Sequence, residues 1–461
     1  MNIDTTKLFA AAAILLAAGL VCGGVRAAET PPAPPATLFR HVTVVPMDRE
    51  RTVPDQSVLV VDGKIAAIGA HLPAPNAVRE IDGRGGYLVP GLADMHVHSS
   101  NSRDLAVFLA NGVTTVLNMG GASAEFVDQV APAVNSGKRP GPHVYLALRI
   151  DGTPEYGQLV VASPAEAVAV VALAKSNRYD FIKVYNNLAP DVFAVLAQEA
   201  SRQGVPLVGH GVTRVGVERQ LAAGQVMVAH LEEYLYTAFF PPDAKVGAAA
   251  PPDSAIPAAV AFTKRSGAYI TADLFTYATI AEQFGRPDVV EAYMRRPDWA
   301  WLDPEMRIAW RGAGYDKRTG SLSNRAAFLG RFARALSDAG VPLIAGTDAP
   351  AIPGSYPGAS LRADLYALHA AGLSNFAALS TATRTPGEMM ARTRQEPCFG
   401  VIAVGCRADL LLLRDNPLTD LRALEARDGV MAAGVWRDRQ ETDALLDKVA
   451  NTYRSILSER P

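Results

Sequence analysis

The sequence predicts an α/β chain: a (β/α)8 barrel of the TIM type, with a small β-sandwich-like domain assembled from its two flanks. Three observations predict it. Short apolar strands recur eight times between Gly91 and Asp348, alternating with helical patterns. Many of the helices close on a glycine able to take a left-handed cap, as at Asn111-Gly112, Gln203-Gly204, Ser266-Gly267 and Ala339-Gly340. Strand-like texture returns on both sides of the barrel region 89–394, over 37–88 and 395–440. A doubly wound open sheet is the runner-up; it needs fewer strands and a topological switch point.

The composition agrees with this class. The chain has 461 residues, 49 % hydrophobic and 20 % charged, enough to bury a large core in more than one domain. A formal net charge of −2 and the lack of a basic block give no electrostatic footprint for nucleic acid. Aromatic residues are only 7 %, which suits small-residue helices packed on a parallel sheet.

Residues 1–27 read as a secretory signal. Lys7 precedes the apolar run Leu8 to Val21, and small residues lead to Val25-Arg-Ala27. Cleavage after Ala27 or Ala28 would release an exported, periplasmic or secreted protein with no stable membrane span. Cys22 leaves a lipid anchor as the alternative. Residues 28–36 form a proline-rich linker. Cys398 and Cys406 then remain, either as one disulfide or as two thiols.

Leu38 to Val45, Ser57 to Val61 and Lys64 to Ile68 are short strands, and Asp62-Gly63 is a hairpin turn between the last two. The barrel strands follow: Gly91 to His98, Thr114 to Asn118, Val144 to Leu148, Phe181 to Tyr185, Pro206 to His210, Met227 to His230, Ala268 to Ala272 and Leu343 to Asp348. The stretch 239–320 is longer than one βα unit requires. With Trp299, Trp301, Trp310 and Tyr315 it reads as an insertion, either a lid over a pocket or a helical subdomain. Phe399 to Leu413 and Val430 to Trp436 complete the small sheet, and residues 441–461 carry a closing helix.

In such a barrel the C-terminal ends of all strands meet at one face, where active sites sit. Strand one ends in His96-Val-His98, whose imidazoles share a face because side chains alternate along a strand. Strand four offers Lys183, strand five His210, strand six His230 and strand eight Asp348. Four of the eight histidines fall at such ends. Neutral imidazoles and a carboxylate are ligands for zinc and similar ions. Singly, each residue has a plain structural reading: a hydrogen-bonded core histidine, a helix N-cap at Asp348, a surface lysine. One fold gathers them at one mouth.

These marks resemble the metal-dependent amidohydrolase superfamily, most closely its imidazolonepropionase-like and prolidase-like branch. They are the His-x-His after Pro90-Gly91, the strand Phe181-Ile-Lys-Val-Tyr185, the strand Gly346-Thr-Asp-Ala349 and the return segment Gly405-Cys-Arg-Ala-Asp-Leu410. The resemblance implies two divalent metal ions, zinc for preference. His96, His98 and Asp348 would hold one, His210 and His230 the other, and a CO2-derived carbamate on Lys183 would bridge them. It implies hydrolysis of a C–N amide bond by a water that the two cations render nucleophilic, with Asp348 as catalytic base. Substrates would be short peptides, N-acyl amino acids or cyclic amides. Tyr185 and Arg149 are candidate substrate contacts; Tyr185 has packing as its alternative, and Arg214 stands behind Arg149. Amino-heterocycle deamination, or hydrolysis of a lactone or organophosphate ester, are alternatives on the same fold. Relatives often form dimers or larger rings, so a homo-oligomer is a further expectation by analogy.

Overall fold

The structure, a computed structural model, describes residues 36–241 and 249–458. The expected signal at 1–27 and nearly all of the linker lie outside the described residues. Two sheets organise what is described. The first has eight strands from both flanks of the chain, ordered Val435–Asp438, Arg427–Ala432, Leu410–Leu413, Tyr87–Pro90, Thr37–Val44, Val53–Val61 and Lys64–Gly69, with Arg79–Asp82 also on Thr37–Val44. Leu410–Leu413 runs antiparallel to Tyr87–Pro90, with Leu411 opposite Val89. Alternate residues such as Phe39, Val58, Leu88, Leu410, Met431 and Trp436 share one apolar core.

The Asp62-Gly63 turn has both residues at positive φ, 50° and 73°, as a tight hairpin requires. A second such turn, Ala433-Gly434 at 47° and 80°, splits the run expected as one strand over Val430 to Trp436 into a hairpin. The β texture of Phe399 to Leu413 narrows to Leu410–Leu413, because Gly400 and Gly405 at positive φ turn the chain. A disulfide between Cys398 and Cys406 closes that loop.

The second sheet is the barrel. Eight parallel strands follow in sequence order: Leu92–Val97, Val113–Asn118, His143–Asp151, Phe181–Val184, Leu207–Gly209, Met227–Val228, Tyr269–Thr271 and Leu343–Ile344. The ends join where Met95 N donates to Ala345 O at 3.1 Å and His98 N to Ala349 O at 2.8 Å. Inward residues Ala93, Met95, Leu117, Tyr145, Ala147, Phe181, Val208 and Tyr269 fill the interior. Outward ones such as Leu148, Ile150, Ile182 and Val184 pack on the helices Pro164–Ser176 and Pro190–Gln203. This alternation is why the strands read as nearly continuous apolar runs.

Within 239–320, strand seven and its preceding helix Ile256–Ser266 divide the stretch in two. The extra helices Leu274–Gln283, Pro287–Met294 and Pro304–Gly312 follow strand seven. Trp299, Trp310 and Tyr356 pack on one another. Trp301 instead packs on Ala106, Val107, Val449 and Tyr453, joining the C-terminal helix Arg439–Ser458 to the first barrel helix, Ser102–Ala110. Trp310 Nε1 donates to Pro350 O at 2.8 Å, tying these helices to the loop after Asp348.

Candidate metal centre

Strand one delivers His96 and His98. Thr347 Oγ1 donates to Asp94 Oδ2 at 2.6 Å and His96 N donates to Asp94 Oδ1 at 3.3 Å, so Asp94 fastens strand one to the end of strand eight. His98 Nε2 then lies 3.1 Å and His96 Nε2 3.4 Å from Asp348 Oδ1. Lys183 Nζ sits 3.0 Å from His96 Nε2 and 3.5 Å from His98 Nε2. The His96 ring is 4.2 Å from that of His230, and the His230 ring 4.9 Å from that of His210, between centroids. The structure thus brings together all six residues expected at the barrel mouth.

Two carboxylates that the sequence analysis did not single out orient the imidazoles. His210 Nδ1 is 2.6 Å from Glu233 Oε1, and His230 Nδ1 is 2.6 Å from Asp273 Oδ2. His98 Nδ1 donates to the Gly120 carbonyl at 2.8 Å. The contacts at His210 and His98 occupy Nδ1 and turn Nε2 toward the centre, the arrangement metal-binding histidines use, while His230 and Asp273 form a close charged contact. Asp273 lies two residues beyond strand seven, Tyr269–Thr271, which is shorter at both ends than the expected Ala268 to Ala272; it is the N-cap of the helix Leu274–Gln283, outside the reach of a strand-end rule. Glu233 carries no such signal, because Glu232 and Glu233 both follow His230 and only the fold turns one of them to His210.

Burial sets the charges. It pulls His96, His98 and His210 below the usual imidazole range, which keeps them neutral and able to donate a lone pair. It brings the Lys183 ammonium down to about 7. For Asp348 burial acts upward, but the hydrogen bond and charge of His98, with His230 and Lys183, outweigh it and keep the carboxylate ionised. For His230 burial acts downward, and Glu232 and Asp273 reverse it, to about 9. His230, Asp273 and Asp348 all have left-handed backbones, at φ 71°, 45° and 55°. Such conformations cost about 1–3 kcal/mol each and persist where surrounding structure enforces them.

The donor set fits a cation. His96, His98 and Asp348 bring three ligand atoms within 4.8 Å of one another, and so do His96, His230 and Asp273. His210 Nε2 is buried with no hydrogen-bond partner. The Tyr185 ring stacks on His210 at 3.8 Å and on Tyr156 at 5.0 Å. Arg149 is half-buried near the mouth, and Arg214 is exposed.

Residues 87–437 match the family model described as "Amidohydrolase family". The chain belongs to that family. Its fold is similar to that of a bottromycin amidohydrolase, with a TM-score of 0.71, 24 % identity and 91 % of each chain covered. It is also similar to a putative prolidase from Bifidobacterium longum, with a TM-score of 0.65 and 24 % identity over 91 % of this chain and 100 % of that one. In sequence it is 36 % identical over 119 residues to an adenine deaminase of Deinococcus radiodurans, a stretch covering 23 % of this chain and 21 % of that relative. The chain therefore spans about a fifth of that curated relative's length.

Proposed function

We propose that this amidohydrolase cleaves C–N amide bonds of short peptides, N-acyl amino acids or cyclic amides, using two divalent cations. The observation that carries it is the buried Lys183 amine inside a ring of four histidines and Asp348. His96, His98 and Asp348 would hold one cation, and His210 and His230 the other. With Lys183 near 7, a good part of its side chain is free amine at neutral pH. A free amine adds to CO2 through its lone pair and releases one proton, leaving a carbamate anion. Such an anion would help to hold the cations and would remove the cost of a buried ammonium. When bound, the cations acidify water and polarise the scissile carbonyl.

The chain's own groups do the rest. Asp348, held ionised beside His98, accepts a proton from the attacking water and returns it to the leaving nitrogen. The Tyr185 hydroxyl, with its ring fixed on His210, donates a hydrogen bond to the oxygen where negative charge develops. The fold shared with a prolidase and a bottromycin amidohydrolase supports amide cleavage, whereas the deaminase match covers too little of that protein to favour deamination. The signal pattern in residues 1–27 supports export.

The test measures metal per chain in wild type and Lys183→Ala, alongside hydrolysis of dipeptide and N-acyl amino acid panels. About two metals per wild-type chain, with metal and turnover lost in the variant, is the expected result. One metal, retained by the variant, would sink the bridged centre.

A further inference from the structure

Strand three carries a charged residue that the hydrolytic steps do not use. Along His143–Asp151, Tyr145 and Ala147 point into the barrel interior, and Arg149 is next in that alternation. In the parallel ladder Arg149 pairs with Lys183, just as Ala147 pairs with Phe181. Arg149 therefore enters the mouth in the same layer as the lysine. The end of strand two makes room for it. A Cβ on Gly120, whose φ is 111°, would come within 2.5 Å of the Arg149 Cβ. Gly120 is also the residue whose carbonyl orients His98.

The Arg149 backbone carbonyl accepts from Gln158 N. Its guanidinium has no hydrogen-bond or ion-pair partner among the described residues, and its Nε is shielded from water. Nearby carboxylates are engaged elsewhere. Asp151 accepts from Thr153 and Asn187, Glu233 from Asn186 and Gly211 while it holds His210, and Asp348 lies against His98. A half-buried guanidinium without a partner is costly unless its anion arrives with the ligand.

We propose that Arg149 anchors a carboxylate of the substrate, so that this site selects N-acyl amino acids or peptides whose free carboxylate lies beside the scissile amide, over neutral cyclic amides. The inference rests on the amide-cleaving reading above and narrows it. A guanidinium presents paired N–H donors that match the two oxygens of a carboxylate.

The test separates binding from turnover. Calorimetry on the zinc-loaded protein compares a phosphonamidate mimic of an N-acyl amino acid with the same mimic capped as a C-terminal carboxamide. Hydrolysis of an N-acyl amino acid and of its carboxamide is followed in parallel. Wild type binds the carboxylate mimic tighter by roughly 10- to 100-fold. Arg149→Met abolishes that difference and keeps its zinc, and Arg149→Lys recovers part of it. Equal wild-type affinity for the two mimics overturns the proposal, whether or not a variant folds. So does an equal loss for both mimics in Arg149→Met, or loss of its zinc. A carboxylate preference controlled by Arg149, without hydrolysis of any amide, upholds the anchor and overturns the amide-cleaving reading instead.

Discussion

His210 and Glu233 form a buried pair, with Nδ1 and Oε1 2.6 Å apart. The other carboxylate oxygen accepts from Gly211 N at 3.0 Å and Asn186 Nδ2 at 2.9 Å, so Glu233 is itself held on both sides. Glu233→Gln removes the charge that makes His210 a strong donor while nearly preserving shape. Metal affinity should fall about 10- to 100-fold with the fold intact. Competition against a fluorescent chelator measures it; unchanged affinity would reduce Glu233 to a packing residue.

Asp348→Asn tests the proton carrier. The amide keeps an oxygen near His98 but cannot take a proton. Turnover should drop by about 10²- to 10⁴-fold, seen mainly in kcat. Circular dichroism should find the melting temperature within a few degrees of wild type. Retained kcat would move the proton transfer to another group.

Asp104, which is not one of the candidate ligands, supplies a pH dependence of stability. Its carboxyl is buried, accepts from Ser99 and Asn101, and is raised to about 7 by burial and by the Asp303 charge. In the unfolded chain it titrates near 3.9. Between those values the folded state holds a proton that the unfolded state has lost, so stability falls as pH rises from about 4 to 7. The loss approaches about 4 kcal/mol. In Asp104→Asn this component of the slope should vanish, making the variant more stable than wild type at pH 8. Calorimetric melting across pH 4–8 checks this, and parallel curves would refute it.

Trp310→Phe deletes the bond to the Pro350 carbonyl while keeping most of the apolar contact with Trp299 and Tyr356. A buried acceptor is left unpaired, at a cost of about 1–3 kcal/mol. Urea unfolding gives the loss. Hydrogen exchange should locate it at 350–356; an effect confined to other segments would contradict the assigned contact.

The barrel was legible because its strands are apolar on both faces and several of their helices end on capping glycines. Every expected barrel strand overlaps an observed one, down to Met227–Val228. The six polar strand-end residues were legible for a related reason, since a polar side chain closing an apolar run stands out. What orients them was not. Glu233 acts across strands, and no local period marks it. Asp273 stands past the end of strand seven, as the left-handed N-cap of the following helix, where no apolar run points to it. The Ala433-Gly434 turn escaped notice because alanine, unlike the aspartate of Asp62-Gly63, rarely announces positive φ.

Tyr87–Pro90 and the His96 strand are separated by Gly91 alone. Gly91 N donates to Asp409 O, and Pro90 pairs with Leu410, so the strand carrying His96 and His98 is seated by residues near the far end of the sequence. During synthesis the histidine strand emerges early, yet its seat is made only after the whole barrel has been translated.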